Sequence, residues 1–91
     1  MTGIRVRLFA ALREEAGAPF VEATGRTAGE VVDALSARFG DRFSSVAAAG
    51  SIVVNGERAD RQTEIREGDE VALLPPVAGG WHAAREARRR P

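Results

Sequence analysis

The amino-acid sequence predicts an α+β domain in which one main helix packs on one face of a mixed sheet of four to five strands. Three features carry this. Near the start, Ile4, Val6 and Leu8 alternate with Arg5 and Arg7, the period of a strand with one face on a core and one in water. Ala28, Val31, Val32, Leu35 and Phe39 fall on one stripe of a 3.6-residue period, so a helix there has a single apolar side to bury. A β-branched run, Ser51 to Val54, ends in Asn55-Gly56, and a later strand-like run, Glu70 to Leu74, ends in two prolines.

The first strand is expected over residues 3–9. ALREEAG follows as a short helical turn closed by Gly17. Phe20 to Thr24 makes a second strand, and the brief connection pairs it with the first as an antiparallel hairpin. Thr27-Ala28-Gly29-Glu30 fits a capping box, with the Thr hydroxyl on the backbone N–H three residues on and the Glu carboxylate reaching back to the Thr N–H. The main helix therefore runs over 28–39, with Gly40 as a left-handed stop. Asp33, Ser36 and Arg38 lie off the stripe, so the helix covers the sheet with one face only. DRFSSVAAAG, residues 41–50, fits a helical turn or a loop equally well. Ser51 to Val54 is a strand, Asn55-Gly56 suits a type I′ turn, and a short hairpin runs through Glu57 to Ala59. Ile65 to Asp69 turns the chain into a last strand, Glu70 to Leu74, with Val71 and Leu73 inward. Pro75 and Pro76 end it, since neither donates to a ladder. Two strands, one long helix, then short strands and a final strand parallel to the first is the order of a β-grasp.

Composition narrows the function classes. Ninety-one residues make one small domain that loses only about 60–65% of its surface on folding, too modest a core for a large catalytic cleft. The chain has no cysteine, which excludes a disulfide framework, a thiolate metal site and a thiol nucleophile of its own. MTGIRVRLFA has no secretory apolar run, and nothing approaches the roughly 20 apolar residues of a membrane span; a cytoplasmic protein without a membrane partner is expected. Residues 1–80 hold nine Arg against twelve Asp and Glu, a net −3, while residues 81–91 hold four Arg against Glu86, a net +3. No lysine is present, so the chain offers no amine for an isopeptide bond or a Schiff base.

The most informative stretch is PPVAGG, residues 75–80. Pro75-Pro76 hold the backbone extended and project the succeeding residues away from the sheet. Val77, Ala78, Gly79 and Gly80 then narrow step by step, so the main chain can thread a tunnel and set the Gly80 carbonyl carbon beside reactive groups. A carboxylate at Gly80 would be unhindered and open to adenylation. Phe9 and Leu74 occupy the strand face opposite Ile4, Val6, Leu8, Val71 and Leu73, and are expected as an exposed apolar docking patch leading to Pro75 and Pro76. The acidic body favours partners with basic surfaces around a channel for the tail.

RLFAALREEAG, VVNGE and REGDEVALLPPVAGG, with the spacing between them, resemble the small subunit of molybdopterin synthase. That subunit belongs to the ubiquitin-like sulfur-carrier family, which also includes the thiamin sulfur carrier. The resemblance runs over residues 4–80 and is most specific at LLPPVAGG following GDEV. It implies a β-grasp fold and a non-catalytic carrier with no bound cofactor. Its terminal glycine carboxylate is activated by an ATP-using, ubiquitin-activating-like adenylyltransferase and converted to a thiocarboxylate. The resemblance further implies that the tail enters the molybdopterin synthase large subunit, where sulfur passes to cyclic pyranopterin monophosphate. Gly80 is then the sulfur-bearing position and Gly79 the spacer that lets it enter.

The chain departs from that pattern in one respect: the Gly80 carbonyl is an amide to Trp81, and an amide offers no carboxylate to adenylate. A processing protease cutting between Gly80 and Trp81 is expected, with the basic extension 81–91 disordered or removed; relatives with a masked glycine pair use a zinc-dependent deubiquitinase-like peptidase. Other readings remain open. The carrier can feed thiamin, cysteine or a secondary metabolite, or act as a ubiquitin-like tag. Alternatively the chain keeps its tail as an interaction module through Trp81, His82, Arg85, Arg88, Arg89 and Arg90, although nucleic acid is the less expected partner. His82 is the lone histidine and builds no metal site by itself. Glu14-Glu15 and Glu67, Asp69 and Glu70 read as surface charge.

Overall fold

Alternation builds the first strand: β1 (Ile4–Leu8) buries Ile4, Val6 and Leu8 and exposes both arginines between them. In the computed structural model, which describes residues 3–76, five strands and three helices are present. α1 (Ala10–Ala16) buries Leu12 and ends at Gly17, whose φ of 79° and ψ of 14° give the left-handed cap. β2 (Phe20–Ala23) returns antiparallel to β1, with Ile4 opposite Ala23 and Arg7 opposite Phe20.

α2 (Ala28–Phe39) opens at Thr27, whose hydroxyl oxygen accepts from the Glu30 N–H at 3.2 Å. The reciprocal arm differs from the expected box: the Glu30 carboxylate accepts from Arg26 N–H, at 2.8 Å, one residue earlier than Thr27. The helix buries Ala28, Gly29, Val31, Val32 and Leu35, and Phe39 is half-buried. Gly40 is not a left-handed helical stop. Its φ of 102° and ψ of −173° place it in an extended region open in practice only to glycine. That geometry lets one residue close α2 and open α3 (Asp41–Ala49), its N–H donating to the Ser36 carbonyl while its own carbonyl accepts from Ser44 N–H. The ambiguous segment is therefore a helix. It buries Phe43, whose ring centroid lies 5.3 Å from that of Phe39.

β3 (Ser51–Val54) and β4 (Glu57–Ala59) form the second hairpin, and β5 (Glu70–Leu74) is the last described strand. Asn55 and Gly56 have φ of 52° and 85°, the double positive φ that the turn requires. The sheet order is β2-β1-β5-β3-β4, parallel between β1 and β5 and antiparallel elsewhere. One sheet face contributes Ile4, Val6, Leu8, Val21, Ala23, Val54, Val71 and Leu73 to a core closed by Leu12, the α2 stripe, Phe43 and Ile65. Among the described residues the other face carries no helix. The outer edge of β2 is blunted where Arg38 of α2 donates to the Glu22 carbonyl at 3.0 Å. No helix of the described residues is long and apolar enough to cross a membrane.

The start of β5 is pinned by side chains. Asn55 N–H donates to the Glu70 carbonyl, and Glu70 N–H donates back to Asn55 Oδ1 at 2.9 Å. Asn55 Nδ2 donates to Asp69 Oδ1 at 3.1 Å, and Arg66 N–H donates to Asp69 Oδ2 at 2.8 Å. The Arg66 amide first, then the Asn55 amide, hold the Asp69 carboxyl below its ordinary value of 3.8. A carboxylate whose folded pKa is depressed stabilises the fold above its unfolded value and loses that contribution as pH falls through the folded one. Asp69→Ala should therefore lower the midpoint of thermal unfolding at pH 7, and the two midpoints should converge as pH drops below 3.8. Circular dichroism melts across that range check this; a gap that stays constant into acid would refute it.

Candidate functional site

β5 is the middle strand of the five, so the last described strand ends at the centre of the sheet rather than at an edge. Leu74 pairs with Ser51 at the last rung of the β3–β5 ladder. Leu74 and Pro75 are half-buried and Pro76 is exposed. Gly50 sits against this exit. Its φ of −94° and ψ of −154° are open to any residue, so backbone freedom is not why glycine stands there. The reason is proximity: a Cβ at Gly50 would overlap the Leu74 carbonyl oxygen and come within 3.1 Å of Pro75 Cα. The root of the tail is thus held against bare backbone. Val77, Ala78, Gly79, Gly80 and Trp81, singled out for threading, sulfur transfer and processing, lie outside the described residues, as does the rest of the extension to Pro91.

Phe9 and Leu74 are half-buried rather than exposed. Phe9 continues the extended path of β1, with φ of −123° and ψ of 147°, one step beyond the Leu8–Leu73 pair. Ala10 then turns the chain sharply into α1 at a φ of 50°, a conformation that costs a non-glycine residue about 1–2 kcal/mol. It leaves Phe9 on the helix-free face, where it lines a shallow groove with Arg5, Arg7, Phe20, Val53 and Ala72. Leu74 shares the Ala72 side of β5 by alternation.

Phe20 is the residue that sequence reasoning missed. It is 41% exposed, the one exposed large hydrophobic among the described residues. The signal was available: Val21 and Ala23 point inward, so Phe20 must point out, and the hairpin sets it opposite Arg7. The Arg5 guanidinium lies 4.0 Å from the Phe20 ring centroid, and Arg7 lies 5.0 Å from Phe9 and 5.7 Å from Phe20. The two guanidiniums are thus held on aromatic rings, with Glu22 and Glu70 on either side of Arg5 in the register. Among the described residues no group of three or more His, Cys, Asp or Glu can hold a metal ion.

A family model, described as the ThiS family, matches residues 6–80. Among solved structures, SAMP1 of Haloferax volcanii is 33% identical over 86% of this chain and 99% of its own, with a TM-score of 0.73. A chain of the Amycolatopsis orientalis BexX/CysO complex is 27% identical over 85% of this chain and 99% of its own, at 0.70. A putative molybdopterin converting factor subunit 1 of Pyrococcus furiosus is 25% identical over 85% of this chain and all of its own, at 0.72.

The Gly50 contact is directly testable. Gly50→Ala must push Leu74 and Pro75 away, an overpacking cost of about 1–3 kcal/mol. The expected result is a lower unfolding midpoint together with faster amide exchange at the Ser51–Leu74 end of the β3–β5 ladder. Wild-type exchange in that variant would show that the exit is not held by this contact.

Proposed function

The chain belongs to the ThiS family, and from that premise we propose that it is a sulfur carrier for molybdopterin biosynthesis, working through a Gly80 carboxylate exposed by removal of residues 81–91. The observation that carries the reading is where the family match stops. It ends at Gly80, at the tip of the PPVAGG stem that continues from the central strand, and leaves 81–91 outside. The ubiquitin-like sulfur-carrier fold supplies the body, and the described residues need supply only recognition.

The chemistry follows from an unhindered terminal carboxylate. A carboxylate oxygen attacks the α-phosphorus of ATP and pyrophosphate leaves, giving an acyl adenylate. Hydrosulfide then attacks the acyl carbon, AMP leaves with the bonding pair, and loss of the S–H proton leaves the glycine as a thiocarboxylate. ATP is bound by the ubiquitin-activating-like adenylyltransferase, and the carrier holds no cofactor. In the final step the tail enters the large subunit of molybdopterin synthase, which exchanges thiocarboxylate sulfur into the pterin precursor. Phe9 and Leu74, with Pro75 and Pro76 leading onward, are the proposed docking residues. That a relative is known from the BexX/CysO complex supports a carrier that acts through a partner protein. The likeness to CysO and SAMP1 also favours a second reading, in which the same glycine serves another sulfur pathway or tags a lysine of another protein.

Incubated with adenylating enzyme, ATP and a sulfur donor, the chain ending at Gly80 should gain about 16 Da, sulfur for oxygen, while the chain ending at Pro91 gains nothing. Intact-mass spectrometry reads both. A full-length chain that gains the mass, or a trimmed one that does not, sinks the proposal; adducts on other proteins support tagging. In the trimmed form, Gly79→Val should fold normally and lose sulfur transfer, because a Cβ and two methyl groups obstruct a channel built for bare backbone. Unimpaired transfer by that variant, measured as product formed per thiocarboxylate, argues against threading.

A further inference from the structure

Three arginines, Arg5, Arg7 and Arg58 opposite Val53, lie on the helix-free sheet face by register, and Arg5 and Arg7 are the two that stack on aromatic rings. Arg5 stands between Glu22 on β2 and Glu70 on β5 in the register. Yet neither Arg5 nor Arg7 makes an ion pair or a side-chain hydrogen bond among the described residues, where the arginines that do are Arg38, Arg42, Arg61 and Arg66. The guanidinium of Arg5 stacks on Phe20 instead, and Arg7 lies between Phe20 and Phe9. Exposed stacking and an exposed ion pair are of comparable strength, so the ring is a competitive resting place. Stacking orders the long side chains while leaving their in-plane N–H donors open to water. A planar fork held in that way matches a carboxylate in two parallel hydrogen bonds, and its ordering has already been met before any partner arrives.

We propose that Arg5 and Arg7, carried on Phe20 and Phe9, recognise a partner protein that presents carboxylates beside an apolar surface. The partner's local charge is thus opposite to the one the net charge of the body suggests. Arginine and aromatic residues around an apolar centre, here Val53 and Ala72, are the composition of an interface hot spot. Leu74, the last residue before the tail's stem, lies on the same face by alternation, so a protein held here also receives the tail. Nucleic acid uses arginine and aromatic rings too, but cations flanked by Glu22 and Glu70 offer no continuous basic track for a phosphate backbone, whereas a single carboxylate needs only one guanidinium fork.

The proposal rests on the carrier reading, and the test separates the two. ATP–pyrophosphate exchange by a purified carrier-adenylating enzyme is followed against the concentration of the chain ending at Gly80. Arg5→Glu and Arg7→Glu should each raise KM for the carrier about ten-fold with kcat within about two-fold. Arg26→Glu, the same charge change beside the start of α2, should leave KM within about two-fold. Raising salt from about 50 to about 300 mM should raise the wild-type KM and leave that of the Arg5→Gln/Arg7→Gln double variant flat. The glutamine pair serves also where a glutamate variant fails to fold by circular dichroism. Unchanged KM in the Arg5 and Arg7 variants, or an equal rise in Arg26→Glu, overturns the inference. So does binding of the wild-type chain to a fluorescent single-stranded oligonucleotide that these variants lose. No exchange with the wild-type chain overturns the carrier reading itself.

Discussion

The parallel pairing of β1 with β5 is the interaction on which the rest of the molecule depends. It joins residues more than sixty positions apart, Arg5 with Glu70 through Leu8 with Leu73, and sets the last described strand in the middle of the sheet. The loop closed by that pairing costs entropy before any contact rewards it. The return is burial: Val6, Leu8, Val71 and Leu73 are each within 2% of complete burial, at about 1.5–3 kcal/mol for each such side chain. A central strand is gripped from both sides, so the described chain ends on backbone held by two ladders.

Each end of β5 has its own restraint, and the two are chemically different. At the start, Asn55 and Asp69 satisfy backbone groups through a polar network on the surface. At the finish, Gly50 permits a backbone approach that any side chain forbids. The first is a set of interactions that can be titrated away, and the second is an excluded volume indifferent to pH. Polar fixing at one end and steric fixing at the other hold β5 in register by means that do not fail together.

What was legible in the sequence is what short-range periodicity encodes. The alternation of β1 and β5, the stripe of α2 and the Asn55-Gly56 turn are each written in adjacent residues, and each is present. α3 was undecidable because it fully buries one residue, Phe43, and a single buried position defines no period. Gly40 misled for a related reason: glycine announces positive φ but not ψ, and only ψ separates a helix stop from the extended hinge that starts another helix. For Phe9 and Leu74 the side of the sheet was legible and the degree of burial was not. Alternation identifies which side Phe9 and Leu74 take, but their burial depends on cross-strand neighbours, and Phe20 enters only through the hairpin register. The roles of Gly50 and Ala10 left no local signal, since one reflects a contact with a distant strand and the other a φ unusual for alanine.

A domain this small has little stability to spare, which makes its exposed aromatic ring informative. Burying a phenylalanine is worth up to about 3 kcal/mol, a sizeable part of the roughly 5–15 kcal/mol that holds an ordinary domain together. Phe20 forgoes much of that at 41% exposure, and the arginine stacked on it returns about 0.5–1 kcal/mol. The helices cover the opposite face completely enough that no described polar side-chain atom is buried without a partner, so the bare face is not a failure of packing. A single-layer sheet with one face closed and one left open divides its labour: the closed face holds β5 in place, and the open face keeps Phe20 and the arginines stacked on it at the surface. β5 is common to both faces, so whatever meets the open face meets side chains of the strand that the closed face fixes.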